Sequence, residues 1–335
     1  MTNPAPLAVS LGDPAGIGPE LIAEAWARRD AEALPPFFVA GGAKVLEAAA
    51  RTRGLDVPIA RISNPAEAQA CFGSALPVLG KDDGPYRPGA PDEDGARLAF
   101  ASLTHATHLA IAGEASGLVT GPIAKALLAD VGFVHPGQTE FVAAACGIAA
   151  NDAVMMLAGP SLRTVPLTVH VALADVPALI TADLIQRRAM ITAAALQRDF
   201  GLVAPRIAMT ALNPHGGEGG RFGTEEARII APAIAALREA GVDATGPHSA
   251  DALFAPHMRG SFDVAICMYH DQALIPIKAL DFDAGVNITL GLPIVRSSPD
   301  HGTAFALAGK GLAHPGATIA AIHMAGQCAA RRAGS

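Results

Sequence analysis

The chain is short of cysteine, of charge and of basic clusters. Four cysteines occur in 335 residues, and no two have the C-x-x-C spacing. Cys146 and Cys267 lie in apolar runs and read as small core residues of a protein in a reducing compartment. Only 16% of the residues are charged, so part of the apolar surface is expected to be covered by a partner subunit. The formal net charge is −7 and no run of Lys or Arg exceeds two. Nucleic acid and anionic membrane are thereby excluded as the main partners. An anionic ligand must then be held by a few placed cations, not by a global field. No apolar stretch reaches the roughly 20 residues needed to cross a bilayer. The N-terminus lacks a basic segment followed by an apolar core, so the expected location is the cytoplasm. Two fingerprints are also missing: there is no G-x-G-x-x-G and no G-x-x-x-x-G-K. An ordinary Rossmann domain and a P-loop enzyme are disfavoured.

What is present is 51% hydrophobic sequence punctuated by 35 glycines and 26 prolines, long enough for two domains or for one large one. Short β-like runs alternate with helix-like ones, which predicts an α/β fold with substantial parallel pairing. Strands are expected at residues 6–11, 37–40, 117–120, 153–158, 164–171, 206–212 and 263–269. Long helices are expected at 20–29, 43–53, 92–112, 181–199, 224–239 and 317–331. Shorter helices are expected at 124–129, 139–146 and 302–308, and short elements at 274–280, 287–290 and 293–296.

Three histidines arrive at the ends of strand-like runs: His170, His215 and His270, 45 and 55 residues apart. In an open α/β sheet the carboxyl ends of the strands form the ligand-binding rim. Three imidazoles delivered there could close on one divalent metal with a position left open, as a catalytic zinc requires. Asn213 and Glu218 flank His215, and Asp271 and Gln272 follow His270. A second segment, Gly12-Asp13-Pro14-Ala15-Gly16-Ile17-Gly18-Pro19-Glu20, brings backbone N–H groups and a helix N-terminus toward an anion. The same pattern also reads as a tight strand-to-helix turn without a ligand. Lys278, Asn287 and Arg296 stand one to each short element; a buried phosphate or carboxylate needs such donors, although they also fit ordinary surface polarity. Finally, the polar loop from Arg296 through Asp300, His301 and Gly302 to Gly309-Lys310-Gly311 could close over a nucleotide.

Taken together these segments resemble the 4-hydroxythreonine-4-phosphate dehydrogenase family of pyridoxal phosphate biosynthesis. The resemblance rests on residues 12–20, 121–125, 137–141, 212–220, 268–276 and 286–311, and runs in order from about residue 7 to residue 325. Its most specific strings are Asn-Pro-His-Gly-Gly-Glu-Gly-Gly at 213–220 and Tyr-His-Asp-Gln at 269–272. It implies two α/β/α domains with a cleft between them, in the isocitrate/isopropylmalate dehydrogenase-like group, which lines an NAD cleft without a Rossmann fingerprint. The expected division is 1–131 plus 290–335 for the nucleotide-cleft domain, and 132–289 for the metal, substrate and dimerisation domain.

The resemblance further implies a homodimer with its active site at the subunit interface, and His170, His215 and His270 as ligands of one divalent metal drawn from both chains. Zinc is the expected ion, with magnesium or cobalt as alternatives. Gln138, Thr139, Lys278, Asn287 and Arg296 match substrate-binding positions. Gly12, Asp13, Gly16, Gly18, Asp300, His301 and Gly302 are the expected contacts to NAD or NADP. Asp271 is the candidate catalytic proton acceptor. Gln138 departs from the family pattern, which usually has histidine there; it keeps hydrogen-bonding capacity and loses a titratable ring. The implied reaction is oxidation of a phosphorylated hydroxy-amino acid followed by decarboxylation. The alternatives are a related dehydrogenase of threonate or erythronate 4-phosphate or of a dihydrodiol, and a non-catalytic metal-binding scaffold.

Overall fold

Twelve strands occur among the described residues, 4–334 of a computed structural model. In chain order they are β1 (Leu7–Ser10), β2 (Phe37–Ala40), β3 (Ile59–Ile62), β4 (Leu76–Leu79), β5 (Leu118–Thr120), β6 (Val154–Ala158), β7 (Arg163–Pro166), β8 (Ile207–Thr210), β9 (Ala244–His248), β10 (Val264–Cys267), β11 (Val286–Leu290) and β12 (Arg296–Pro299). The chain divides into two compact units. The first comprises residues 4–150 and 292–334, the second residues 151–291. Residues 1–3 and 335, the outer ends of the expected nucleotide domain, lie outside the described residues.

The first unit carries the strand order β3-β4-β2-β1-β5-β12, and every pairing within it is parallel. Its central strands are buried throughout: β1, β2, β5 and β12 show no exposed residue. Parallel strands covered on both faces must be apolar along their whole length, which is why Leu-Ala-Val-Ser and Phe-Phe-Val-Ala are legible as strands. Helix Glu93–Ile111 begins where Asp92 accepts a hydrogen bond from the Gly95 N–H at 2.8 Å. Residues 132–150 fold with this unit, although the sequence assigned them to the other. The cause is aromatic: Phe133 and Phe141 both pack edge-on against Phe100 of that helix, with ring centroids 5.5 and 5.9 Å away.

The second unit has the order β11-β6-β7-β10-β8-β9. Its β11–β6 and β6–β7 pairs are antiparallel, and β7, β10, β8 and β9 run parallel. Helix Ala182–Phe200 is capped at both ends. The Thr181 hydroxyl accepts from Leu184 N–H at 3.1 Å, and Gly201 adopts φ +69° to end it.

Four expected elements come out differently. The strand expected over 164–171 stops at Pro166. The helix expected over 224–239 is interrupted by a π-turn at Glu226–Ile230. The element expected at 293–296 is instead the strand Arg296–Pro299. No helix forms at 302–308: Ala304 takes φ +45°, and the bonds there are three-residue turns such as Leu307 N–H to Ala304 O at 2.8 Å. No helix among the described residues is long and apolar enough to cross a membrane.

Candidate active site

In the second unit, β7, β10 and β8 are parallel neighbours, so their carboxyl ends share one edge of its sheet. Each feeds one of the three histidines. His170 follows β7 by four residues, His270 follows β10 by three, and His215 follows β8 by five. His170 and His270 are brought together, with ring centroids 6.0 Å apart. They line a cavity of about 270 Å³ with Thr168, Tyr269 and Asp271. His270 opens helix His270–Asp281, and its Nδ1 lies 2.7 Å from Asp271 Oδ1. That contact leaves Nε2 as the ring's free donor atom. Asp271, the expected proton acceptor, is in this way engaged with the ring beside it.

His215 stands apart from this pair. Among the described residues no three His, Cys, Asp or Glu side chains gather closely enough to hold a metal. Convergence of all three histidines within one chain, which strand-end placement alone allows, does not occur. His215 sits in an exposed loop, Pro214–Gly220, whose backbone is left-handed over consecutive residues.

Gln272, recognised from sequence only as a polar neighbour, ties the ends of β8 and β10 together. Its Oε1 accepts from Thr210 Oγ1 at 2.6 Å and from Met268 N–H at 2.8 Å, and its Nε2 donates to Ala211 O at 2.8 Å. Lys278 is half-buried two turns along the helix from His270. Asn287 lies in β11 opposite Leu157, with its Oδ1 buried and unpartnered.

In the first unit Arg296 is only 3% exposed. Its Nη2 donates to Thr120 Oγ1 at 2.7 Å and to Gln138 Oε1 at 3.1 Å, and its Nη1 to Thr139 Oγ1 at 3.3 Å. Burial pulls its pKa down to about 10, which still leaves the guanidinium charged at neutral pH. Gln138 turns its Nε2 to the carbonyl of Gly121 at 2.8 Å. One amide thus accepts from the cation and donates to the backbone, with no proton to lose. Thr120 escaped the sequence reading, because a threonine at the end of a buried strand carries no signal beyond β-propensity.

The glycine-rich turn lies against the same backbone. Asp13 N–H donates to Pro122 O at 2.8 Å, and Gly12 holds φ +72° with its Cα facing that carbonyl. Gly16 presses on Thr303, whose carbonyl accepts from Ile17 N–H at 3.0 Å. The turn and the segment holding Asp300, His301 and Gly302 are therefore adjacent, as a shared ligand would require. Asp13 is 2% exposed, and burial raises its carboxyl above the usual range. His301 is half-buried, and burial lowers its ring below the usual value.

Residues 32–325 match the family model of the pyridoxal phosphate biosynthetic protein PdxA. The chain belongs to this family. A PdxA-family relative from Erythrobacter litoralis, named 4-hydroxythreonine-4-phosphate dehydrogenase, is 65% identical over 98% of both chains. One of the same name from Zymomonas mobilis is 52% identical, over 98% of this chain and 96% of its own. The crystal structure of 4-hydroxythreonine-4-phosphate dehydrogenase from Klebsiella pneumoniae superposes with a TM-score of 0.86 at 35% identity, covering 97% of this chain and 99% of that one. The PdxA match thus reaches into both units, while the turn at residues 12–18 precedes the matched region.

Proposed function

We propose that this chain oxidises 4-hydroxythreonine 4-phosphate to 2-amino-3-oxo-4-phosphooxybutanoate, with NAD or NADP as hydride acceptor. The product then loses CO₂ to give 3-amino-2-oxopropyl phosphate, in the cytoplasm. The carrying observation is the 65% identity to a dehydrogenase of that name over 98% of the chain.

The residues support specific parts. Arg296 is a fixed fork suited to a phosphate or carboxylate, held flat by Thr120, Gln138 and Thr139. Within the second unit, Lys278 and Asn287 carry a point charge and an amide suited to the same kind of anionic group. The turn at residues 12–18 lies against residues 300–303, where we place the nucleotide, although most of the turn's own N–H groups already donate to Pro122, Asp13 and Thr303. His170, His270 and His215 would hold a divalent ion. Their chemistry fits: imidazole donors suit zinc or cobalt, and Asp271 fixes the His270 ring so that Nε2 points outward from the pair. When bound, that ion supplies Lewis acidity toward substrate oxygens, while the nicotinamide accepts hydride.

We read the three histidines as shared between two chains of a homodimer. His215 lies apart from the other two, and Val171 and Leu173, which line the His170–His270 cavity, expose large apolar side chains that a partner would cover. The test is steady-state NADH formation with 4-hydroxythreonine 4-phosphate against threonate 4-phosphate, before and after chelation. Faster turnover of the former, lost on chelation and restored by Zn²⁺ or Co²⁺, is the expected result. Preference for threonate 4-phosphate, or turnover indifferent to chelation, contradicts the reading.

A further inference from the structure

The loop that presents His215 cannot hold its shape by its own propensities. Five residues from His215 to Gly219 have φ between +44° and +76°, followed by Gly220 at +95°. His215 and Glu218 adopt this hand despite carrying a Cβ. Such a backbone persists only where its surroundings over-determine it.

One buried carboxylate does so. Glu226 is 6% exposed. Its Oε1 accepts from the backbone N–H of Leu212 at 2.9 Å and of Asn213 at 2.8 Å, and its Oε2 accepts from Asn213 Nδ2 at 3.0 Å. A Cβ on Gly217 would stand 2.7 Å from that Oε2, so the carboxylate also lies directly under the loop. The neighbouring Glu225 accepts from the same Asn213 amide at 2.8 Å and from Thr224 N–H at 2.9 Å. Two consecutive carboxylates converge on one asparagine where the helix opens with a π-turn, Glu226–Ile230. An added residue in one turn changes the direction in which successive side chains leave, and π-turns concentrate at functional sites for that reason.

With three donors on its two oxygens and almost no exposed surface, Glu226 is committed to the backbone beneath the loop and not to a ligand. We propose that Glu226 is a positioning residue for His215: it locks the backbone at Leu212–Asn213 so that the imidazole is offered in one conformation. This rests on the reading of His215 as a metal ligand. Loss of an outer partner of a ligating histidine typically weakens metal binding about 10- to 100-fold.

The experiment titrates the full-length, metal-free protein with Co²⁺, followed by visible absorption, alongside limited proteolysis of residues 214–223. Glu226→Ala is expected to bind Co²⁺ about 10- to 100-fold more weakly, with an altered spectrum and faster cleavage in the loop. Glu226→Gln should recover most of the affinity, since its amide oxygen still accepts both backbone N–H groups. Should Glu226→Ala fail to fold, Glu226→Asp keeps the charge, shortens the reach and is expected to weaken binding in the same sense. Wild-type affinity and spectrum in a folded Glu226→Ala or Glu226→Asp, while His215→Ala loses Co²⁺ binding, overturn the positioning role alone. Wild-type binding by His215→Ala overturns the ligand reading, and the positioning role with it.

Discussion

Arg296 shows how much chemistry a single buried side chain carries here. Hydrogen bonds from it run to Thr120, which ends β5, and to Gln138 and Thr139 at the start of the helix Gln138–Ala145. A lysine delivers one charge from one point and cannot satisfy three acceptors spread across a planar fork. Arg296→Lys is therefore expected to raise KM for the phosphorylated substrate by about tenfold or more, equivalent to at least about 1.4 kcal/mol, with a smaller change in kcat. Steady-state kinetics on both proteins checks this, and an unchanged KM contradicts the role. At this scale the sequence was partly legible. Arg296, Gln138 and Thr139 stand in recognisable strings, whereas Thr120 and Glu226 do not. A residue whose work is to hold another one looks locally like any strand threonine or helix glutamate.

Among the elements, the turn from β1 into helix Gly18–Ala27 has little freedom. Gly12 combines φ +72° with a position where a Cβ would stand 2.7 Å from the Pro122 carbonyl oxygen. Both the backbone hand and the contact forbid a side chain. Gly12→Ala is expected to destabilise the protein by about 2 kcal/mol or more, the left-handed penalty alone being about 1–2 kcal/mol. Urea unfolding measures it; a loss below about 0.5 kcal/mol contradicts the close approach.

Element legibility followed burial except at β4, which is buried throughout but carries Pro77 inside its short run. The runs at 37–40 and 7–10 were readable because both faces are covered. β3 has partly exposed residues and β9 is Ala-Thr-Gly-Pro-His, so neither presents an apolar run. Residues 302–308 looked helical because they are rich in alanine. They fold as turns because Ala304 and Ala308 pack against Ile17 and Leu21, a tertiary demand that local propensity does not contain.

At the scale of the whole molecule, stability is coupled to pH through a buried acid. Glu20 is fully buried, with Arg53 3.8 Å away, and burial still pushes its carboxyl above the usual value. A carboxyl whose folded pKa exceeds its unfolded one favours folding when protonated. That contribution is complete below the unfolded value and is lost as pH rises through the folded one. Glu20→Gln removes the loss, while Arg53 keeps its contact with Glu24. The stability of Glu20→Gln relative to wild type is therefore expected to increase from about pH 4 to about pH 7. Urea titrations across that range test it, and a difference that stays flat or falls contradicts the assignment. The α/β class was legible from alternation, whereas length allowed one large domain or two and the division into two came with the family resemblance. The membership of residues 132–150 was not legible, because Phe100, Phe133 and Phe141 meet only in three dimensions.

The left-handed stretch at residues 215–220 has a consequence for which amino acids a ribosome can place there. At Gly216 and Gly219 a Cβ would meet nothing within 4 Å, so volume excludes no side chain. Handedness disfavours one instead, a cost that His215 and Glu218 bear in the same stretch. The backbone there has the chirality that suits D-residues, and translation supplies only the other enantiomer or the one achiral residue. Much of the loop's glycine content is in that sense a stereochemical substitute, imposed by the direction in which the chain must turn to present a single histidine.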